Sequence, residues 1–122
     1  MDDTLRSCRE FTAVLASAAP TPGGGGAAAL TAAIGTALGG MVASLTTGKR
    51  AYASVENEIR QLLSMTTALQ EDLLDQVAAD AEGFLPLAAV YALPKDDPGR
   101  AARLLRASED ACACLLYTSD AA

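Results

Sequence analysis

The sequence predicts an all-α protein, an up-and-down or orthogonal bundle of long helices that is part of a larger helical domain. Apolar residues recur at spacings of three and four along most of the chain, and no segment alternates as a half-buried strand would. Glycine or proline punctuates the junctions, at Pro20, Pro22, Gly48 and Pro98. The 122 residues suffice for one domain with a modest core.

The first helix is expected in "DDTLRSCREFTAVLAS", with Asp and Thr as capping candidates and Leu5, Cys8, Phe11, Thr12 and Leu15 as its stripe. Pro20 and Pro22 end it. A glycine run follows, then a second helix, "AAALTAAIGTALGGMVASLTT", which Gly48 closes as a left-handed cap. The third helix spans about Ala51 to Phe84. Its stripe is Val55, Ile59, Leu62, Thr66, Leu69, Leu73, Val77, Asp80 and Phe84. Pro86 kinks or restarts it, and the helix resumes through Val90 and Tyr91. "LPKDDP" reads as a turn. Asp97 and Pro98 then supply the cap and first-turn proline of a last helix, "GRAARLLRASEDACA". No internal repeat is visible.

Charge and composition narrow the function. Nine basic residues face 15 acidic ones, a net charge of −6, which argues against nucleic-acid binding. There is no histidine. Ser-His-Asp and Cys-His catalysis are therefore excluded, and the commonest metal ligand is missing, so no metal is expected. Chemistry must come from carboxylates, lysines, tyrosines, hydroxyls or thiols. Cys8, Cys112 and Cys114 are odd in number and lack CxxC spacing; without a secretory signal they read as reduced thiols of a cytoplasmic protein.

From Phe11 to Gly48 no residue is charged. The length would suit a membrane span. Alanine, glycine and threonine predominate, however, so the expectation is a buried helix at a tight intersubunit contact and no membrane. Gly35, Gly39 and Ala43 give a row of small residues for it. At the other end, "CLLYTSDAA" (114–122) fits nothing before it and resembles the translation of a transposon-type sequencing adapter. Residues 1–113 are expected to be the native part of an incomplete helical domain, and 114–122 a non-native tail.

The run "PTPGGGGAAAL" (Pro20–Leu30) raises the functional question. It is no Walker loop: the glycine required five residues before Gly48 is Ala43, and Lys49 is followed by Arg50. As a dinucleotide fingerprint it lacks a preceding strand and an acidic residue between Glu10 and Glu56. Two readings stay open. The glycines permit a sharp turn, or they make a helix entrance whose free amides face a bound polar or anionic group.

Four stretches in order, "PTPGGGGAAAL", "MVASLTTGKRAY", "DAEGF" and "ALPKDD", resemble the cyclodeaminase/cyclohydrolase family. That family comprises the C-terminal domain of formiminotransferase-cyclodeaminase and free-standing methenyltetrahydrofolate cyclohydrolases. The likeness runs from Leu5 to about Ala113. It departs at Gly26, where the family usually has serine, and the family's domain continues through further helices. The resemblance implies an all-helical, homodimeric enzyme acting on a tetrahydrofolate derivative as substrate. Met1 directly before the first family helix favours the free-standing cyclohydrolase type. Release of ammonia from formiminotetrahydrofolate is the alternative reaction, and a non-catalytic helical dimerisation module the alternative class.

Residue by residue, Asp80 and Lys49 are the catalytic candidates. Asp80 lies on an apolar stripe, and a desolvated carboxylate is costly unless paired or functional. The bland reading is that the stripe drifts and leaves Asp80 at its edge. Lys49 and Arg50 follow Gly48. They either neutralise a helix C-terminus or attract folate carboxylates, and Lys49 is also a proton-exchange candidate. Lys95 has the same two readings. Tyr52 could stack on the pterin. The substrate-binding candidates are Pro22, Gly23, Gly24, Gly25, Gly26, Arg50, Tyr52, Phe84 and Lys95. Glu82 and Asp96 read as solvated.

Overall fold

The structure is a computed structural model that describes residues 2–120, the last seven of them by backbone alone. The described residues are helical and turn-like and contain no strand, as the periodicity requires. Four α-helices occur: α1 (Cys8–Leu15), α2 (Gly24–Thr46), α3 (Glu56–Tyr91) and α4 (Arg100–Asp120). Short 3-10 turns at Asp3–Leu5 and Arg50–Val55 precede α1 and α3.

The N-terminal helix starts later than expected. Asp2 caps only a 3-10 turn, its Oδ1 accepting from the Thr4 amide and hydroxyl at 2.8 and 2.6 Å. Ser7 caps α1. Its hydroxyl accepts from the Glu10 amide at 3.2 Å, while the Glu10 carboxylate accepts from the Ser7 amide at 2.9 Å. This reciprocal capping box fixes the first turn at Cys8. Leu5 is thereby left outside α1 and 84% exposed, whereas Phe11 is buried.

α2 begins earlier than the sequence placed it, so Gly24, Gly25 and Gly26 form its first turn. Gly48 closes it with φ +78°, as expected of a left-handed cap that costs glycine least. The Gly48 amide donates to Glu56 Oε2 at 3.0 Å, tying the end of α2 to the start of α3. α3 continues through Pro86 to Tyr91 without restarting. At the last junction Asp97 Oδ1 accepts from the Gly99 amide at 2.9 Å, an Asx turn across Pro98 that leads into α4 at Arg100.

The chain divides into two compact units. One joins the N-terminal segment through Ala27 to the chain from Gln76 onward. Its buried apolar residues are Phe11, Val77, Ala81, Val90 and Ala107. The other, Ala28–Asp75, is a hairpin of α2 against the first part of α3. Thr66 packs toward the glycines of α2 in this hairpin. Its hydroxyl donates to the Leu62 carbonyl at 2.9 Å on its own helix. A Cβ on Gly39 would lie 3.8 Å from the Thr66 methyl, and one on Gly40 3.4 Å from its hydroxyl oxygen.

Within the hairpin, Ala43 is buried and Gly39 faces Thr66, while nothing of this chain lies within 4 Å of the Cβ position of Gly35. α2 is largely uncovered by its own chain. Ile34, Leu38, Met41, Val42 and Leu45 are all more than half exposed. The helix is 23 residues long and its most apolar 18-residue stretch has a mean hydropathy of 1.6, enough by length and composition to cross a membrane. The stripe of α3 is also uneven, with Val77 sealed but Leu62 and Leu69 exposed.

Cys8 and Cys112 are free and exposed; the side chain of Cys114 lies outside the described residues. The same holds for the side chains of the expected tail, 114–122, although the backbone of α4 runs to Asp120.

Candidate functional site

Asp80 and the glycine turn meet within the first unit. The Gly26 amide donates to Asp80 Oδ2 at 2.8 Å. This amide belongs to the first turn of α2, where backbone donors have no partner within the helix and the macrodipole favours negative charge. A glycine-only first turn has no side chain to cap itself, and a carboxylate from α3 supplies the acceptor.

The glycines matter sterically as well. A Cβ on Gly25 would overlap Asp80 Oδ1 and approach its Cγ to 2.6 Å. On Gly23 it would come no nearer than 3.8 Å to Oδ2, and on Gly24 it would meet nothing within 4 Å. On Gly26 it would find ordinary contacts, Asp80 Oδ2 at 3.5 Å and Val77 Cγ1 at 3.7 Å. Pro22, which leads into the turn, is buried, and Val77, one turn before Asp80 on α3, is 1% exposed. Asp80 and Phe84, four residues apart on α3, are both half-buried. The carboxylate thus has one edge against the Gly26 amide and the bare Cα of Gly25.

The remaining candidates are distributed differently. Lys49, Arg50 and Tyr52 belong to the second unit, at the end of α2 and on the 3-10 turn before α3, and all three are exposed. Lys49 precedes the turn in extended conformation and makes no side-chain cap there. Lys95 is exposed on the connection between α3 and α4. Glu82 is exposed and lines a small recess of mixed character with Asp3, Arg6, Thr21, Ala81 and Leu85 among others. Among the described residues no group of three or more His, Cys, Asp and Glu side chains is clustered as a metal site requires.

The sequence matches the formiminotransferase-cyclodeaminase family over residues 7–120. The chain belongs to this family. Among its curated relatives, the methenyltetrahydrofolate cyclohydrolase of Methylorubrum extorquens is 46% identical over 96 residues, covering 78% of this chain and 46% of that protein. The formimidoyltransferase-cyclodeaminase of Rattus norvegicus is 35% identical over 92 residues, covering 75% of this chain and 17% of that protein. That of Dictyostelium discoideum is 36% identical over 89 residues, covering 73% and 17%. The chain therefore spans less than half the length of the relatives it matches. Family membership agrees with the helical fold.

The sequence shows both partners of the central pair, Asp80 and the glycine run, but neither their bond nor the overhang of Asp80 at Gly25. The available signal was chemical: an acidic residue on an apolar stripe demands a donor, and four glycines offer unpartnered amides.

Proposed function

We propose that the full-length protein of which this chain is part hydrolyses methenyltetrahydrofolate to formyltetrahydrofolate. Family membership and the 46% identity to a protein named methenyltetrahydrofolate cyclohydrolase support the reaction class. The observation that carries the residue assignment is the Asp80 carboxylate of α3, held by the Gly26 amide at 2.8 Å.

The substrate carries a delocalised positive charge over the methenyl carbon and its two flanking nitrogens. A fixed carboxylate lowers the energy of that cation and accepts the proton of an attacking water. The water oxygen bonds to the methenyl carbon, and its proton passes to Asp80. One carbon–nitrogen bond of the resulting tetrahedral centre then breaks, and that nitrogen takes up a proton. In this reading the turn Pro22–Gly26, Phe84 and Lys95 contribute the other contacts to the substrate. No metal takes part, and the folate derivative is substrate rather than resident cofactor.

The relatives named formimidoyltransferase-cyclodeaminase support a second reading, ring closure of formiminotetrahydrofolate with loss of ammonia, a lyase reaction. We further propose a cytoplasmic homodimer that binds neither membrane nor nucleic acid, with the open face of α2 covered by a second copy. Ile34, Leu38, Met41 and Leu45 recur on it at spacings of four, three and four, the seam of paired helices.

The test uses the full-length protein. Loss of methenyltetrahydrofolate absorbance above the buffer rate is expected, with no ammonia from formiminotetrahydrofolate. Ammonia release with flat methenyl traces would select the second reading, and neither activity in folded protein would remove both.

A further inference from the structure

Gly25 is the one glycine of the run whose side-chain position is already taken. A Cβ there would overlap Asp80 Oδ1, stand 2.6 Å from Cγ and 3.0 Å from Oδ2. The approaches to Oδ1 and Cγ are closer than real Cβ atoms come, that to Oδ2 is merely tight, and the atoms in the way are the carboxylate itself. The neighbouring glycines impose nothing comparable, since Gly23 and Gly26 would meet Asp80 only at 3.8 and 3.5 Å. The carboxylate is thus fixed twice: the Gly26 amide holds Oδ2 at 2.8 Å, and the bare Cα of Gly25 leaves room for Oδ1.

We infer that Gly25 is a positioning residue: its missing side chain is the seat that sets where the Asp80 carboxylate stands. The inference deepens the reading of Asp80 as the reacting carboxylate and rests on it for its consequence in turnover. A methyl at position 25 turns the Asp80 side chain out of the seat and breaks the bond to Gly26, while the alanine itself is at home in a helix. The fold survives and the geometry of the carboxylate does not. Misplacing a reacting group by about 1 Å can cost on the order of 10²-fold in rate.

The experiment is made on full-length Gly25→Ala, with two independent readouts. The first is hydrogen exchange at the Gly26 amide. It is expected to quicken about tenfold or more, as it does in Asp80→Ala, because the acceptor is gone. Gly24→Ala, where a Cβ meets nothing within 4 Å, is expected to leave that exchange unchanged. The second readout is turnover of methenyltetrahydrofolate. Gly25→Ala is expected to lower kcat about 10²-fold with KM within about threefold, and to add little further loss when combined with Asp80→Asn. If Gly25→Ala does not fold, Asp80→Glu carries the test. It keeps the charge but is one methylene too long for the seat, so kcat is expected to fall and Gly26 exchange to quicken.

Unchanged Gly26 exchange in Gly25→Ala, or in Asp80→Glu where the first variant does not fold, overturns the inference. Quickened exchange with kcat equally normal in Gly25→Ala and Asp80→Asn supports the seat and instead removes Asp80 from the reaction.

Discussion

The Gly26 amide and Asp80 Oδ2 are hydrogen-bonded at 2.8 Å across 54 positions of sequence. The bond joins the first turn of α2 to the middle of α3. It converts two separate oddities, a helix that opens on glycines and an acid on an apolar stripe, into one arrangement in which each answers the other.

Gly26 itself does not need to be glycine. Its Cβ position meets Asp80 Oδ2 at 3.5 Å and Val77 atoms at 3.7 Å, all ordinary contacts. Gly26→Ala and Gly26→Ser should therefore fold, retain the bond to Asp80 and be as stable as the parent or more so, by up to about 1 kcal/mol for alanine. Denaturant titration checks this. A loss of more than about 1 kcal/mol would mean that the turn is tighter than the contacts imply.

The capping box of α1 makes stability depend on acid. The Ser7 hydroxyl, and then the Ser7 amide, bind the ionised Glu10 side chain and hold its carboxyl below the ordinary carboxylate value. The folded form thus releases this proton more readily than the unfolded form does. The contribution is complete above the unfolded-state value and is lost as pH falls through the lowered folded-state value. Ser7→Ala should cost about 1 kcal/mol near neutrality, and less once the pH is below both values. Melting temperatures of parent and Ser7→Ala measured from pH 7 downward should converge. A gap that stays constant would show that Glu10 takes no part.

The glycines of α2 should separate folding from assembly. Gly40→Leu drives a large side chain toward Thr66, whose hydroxyl oxygen lies 3.4 Å from the Cβ position, and should destabilise the hairpin by about 1–3 kcal/mol. Gly35→Leu meets nothing within 4 Å and should leave the stability of the single chain intact. If the open face of α2 is the homodimer contact, Gly35→Leu should alter elution volume instead. Equal loss of stability in both variants would contradict this division.

Lys49 is exposed at the end of α2. If it attracts the folate glutamate carboxylates, Lys49→Met in the full-length enzyme should raise KM several-fold and spare kcat. A fall in kcat at unchanged KM would give it the proton-exchange role instead.

Much of this architecture was legible in local chemistry. Gly48 was readable as a left-handed cap because the periodic residues stop there and glycine bears positive φ without penalty. The start of α1 was misplaced because two capping sets compete within ten residues. The pattern Ser7-x-x-Glu10 was the stronger, for it satisfies two amides reciprocally. What covers α2 is not legible for a different reason. An apolar composition says that a helix avoids water somewhere, not that its own chain covers it, and Leu38, Val42 and Leu45 stay open. The Asp80–Gly26 bond and the overhang at Gly25 are tertiary. No periodicity encodes a contact 54 residues long, although the cost of an unpartnered carboxylate pointed to some such donor.

The most direct test of the account is kcat of full-length Asp80→Asn on methenyltetrahydrofolate. Asparagine keeps the size of the side chain and an oxygen able to accept from the Gly26 amide, but removes the charge and most of the basicity. If Asp80 accepts the proton of water beside a cationic carbon, kcat should fall about 10²–10⁴-fold with the helical circular dichroism unchanged. A folded Asp80→Asn enzyme with kcat within about threefold of the parent would contradict the account and reduce Asp80 to the cap of α2.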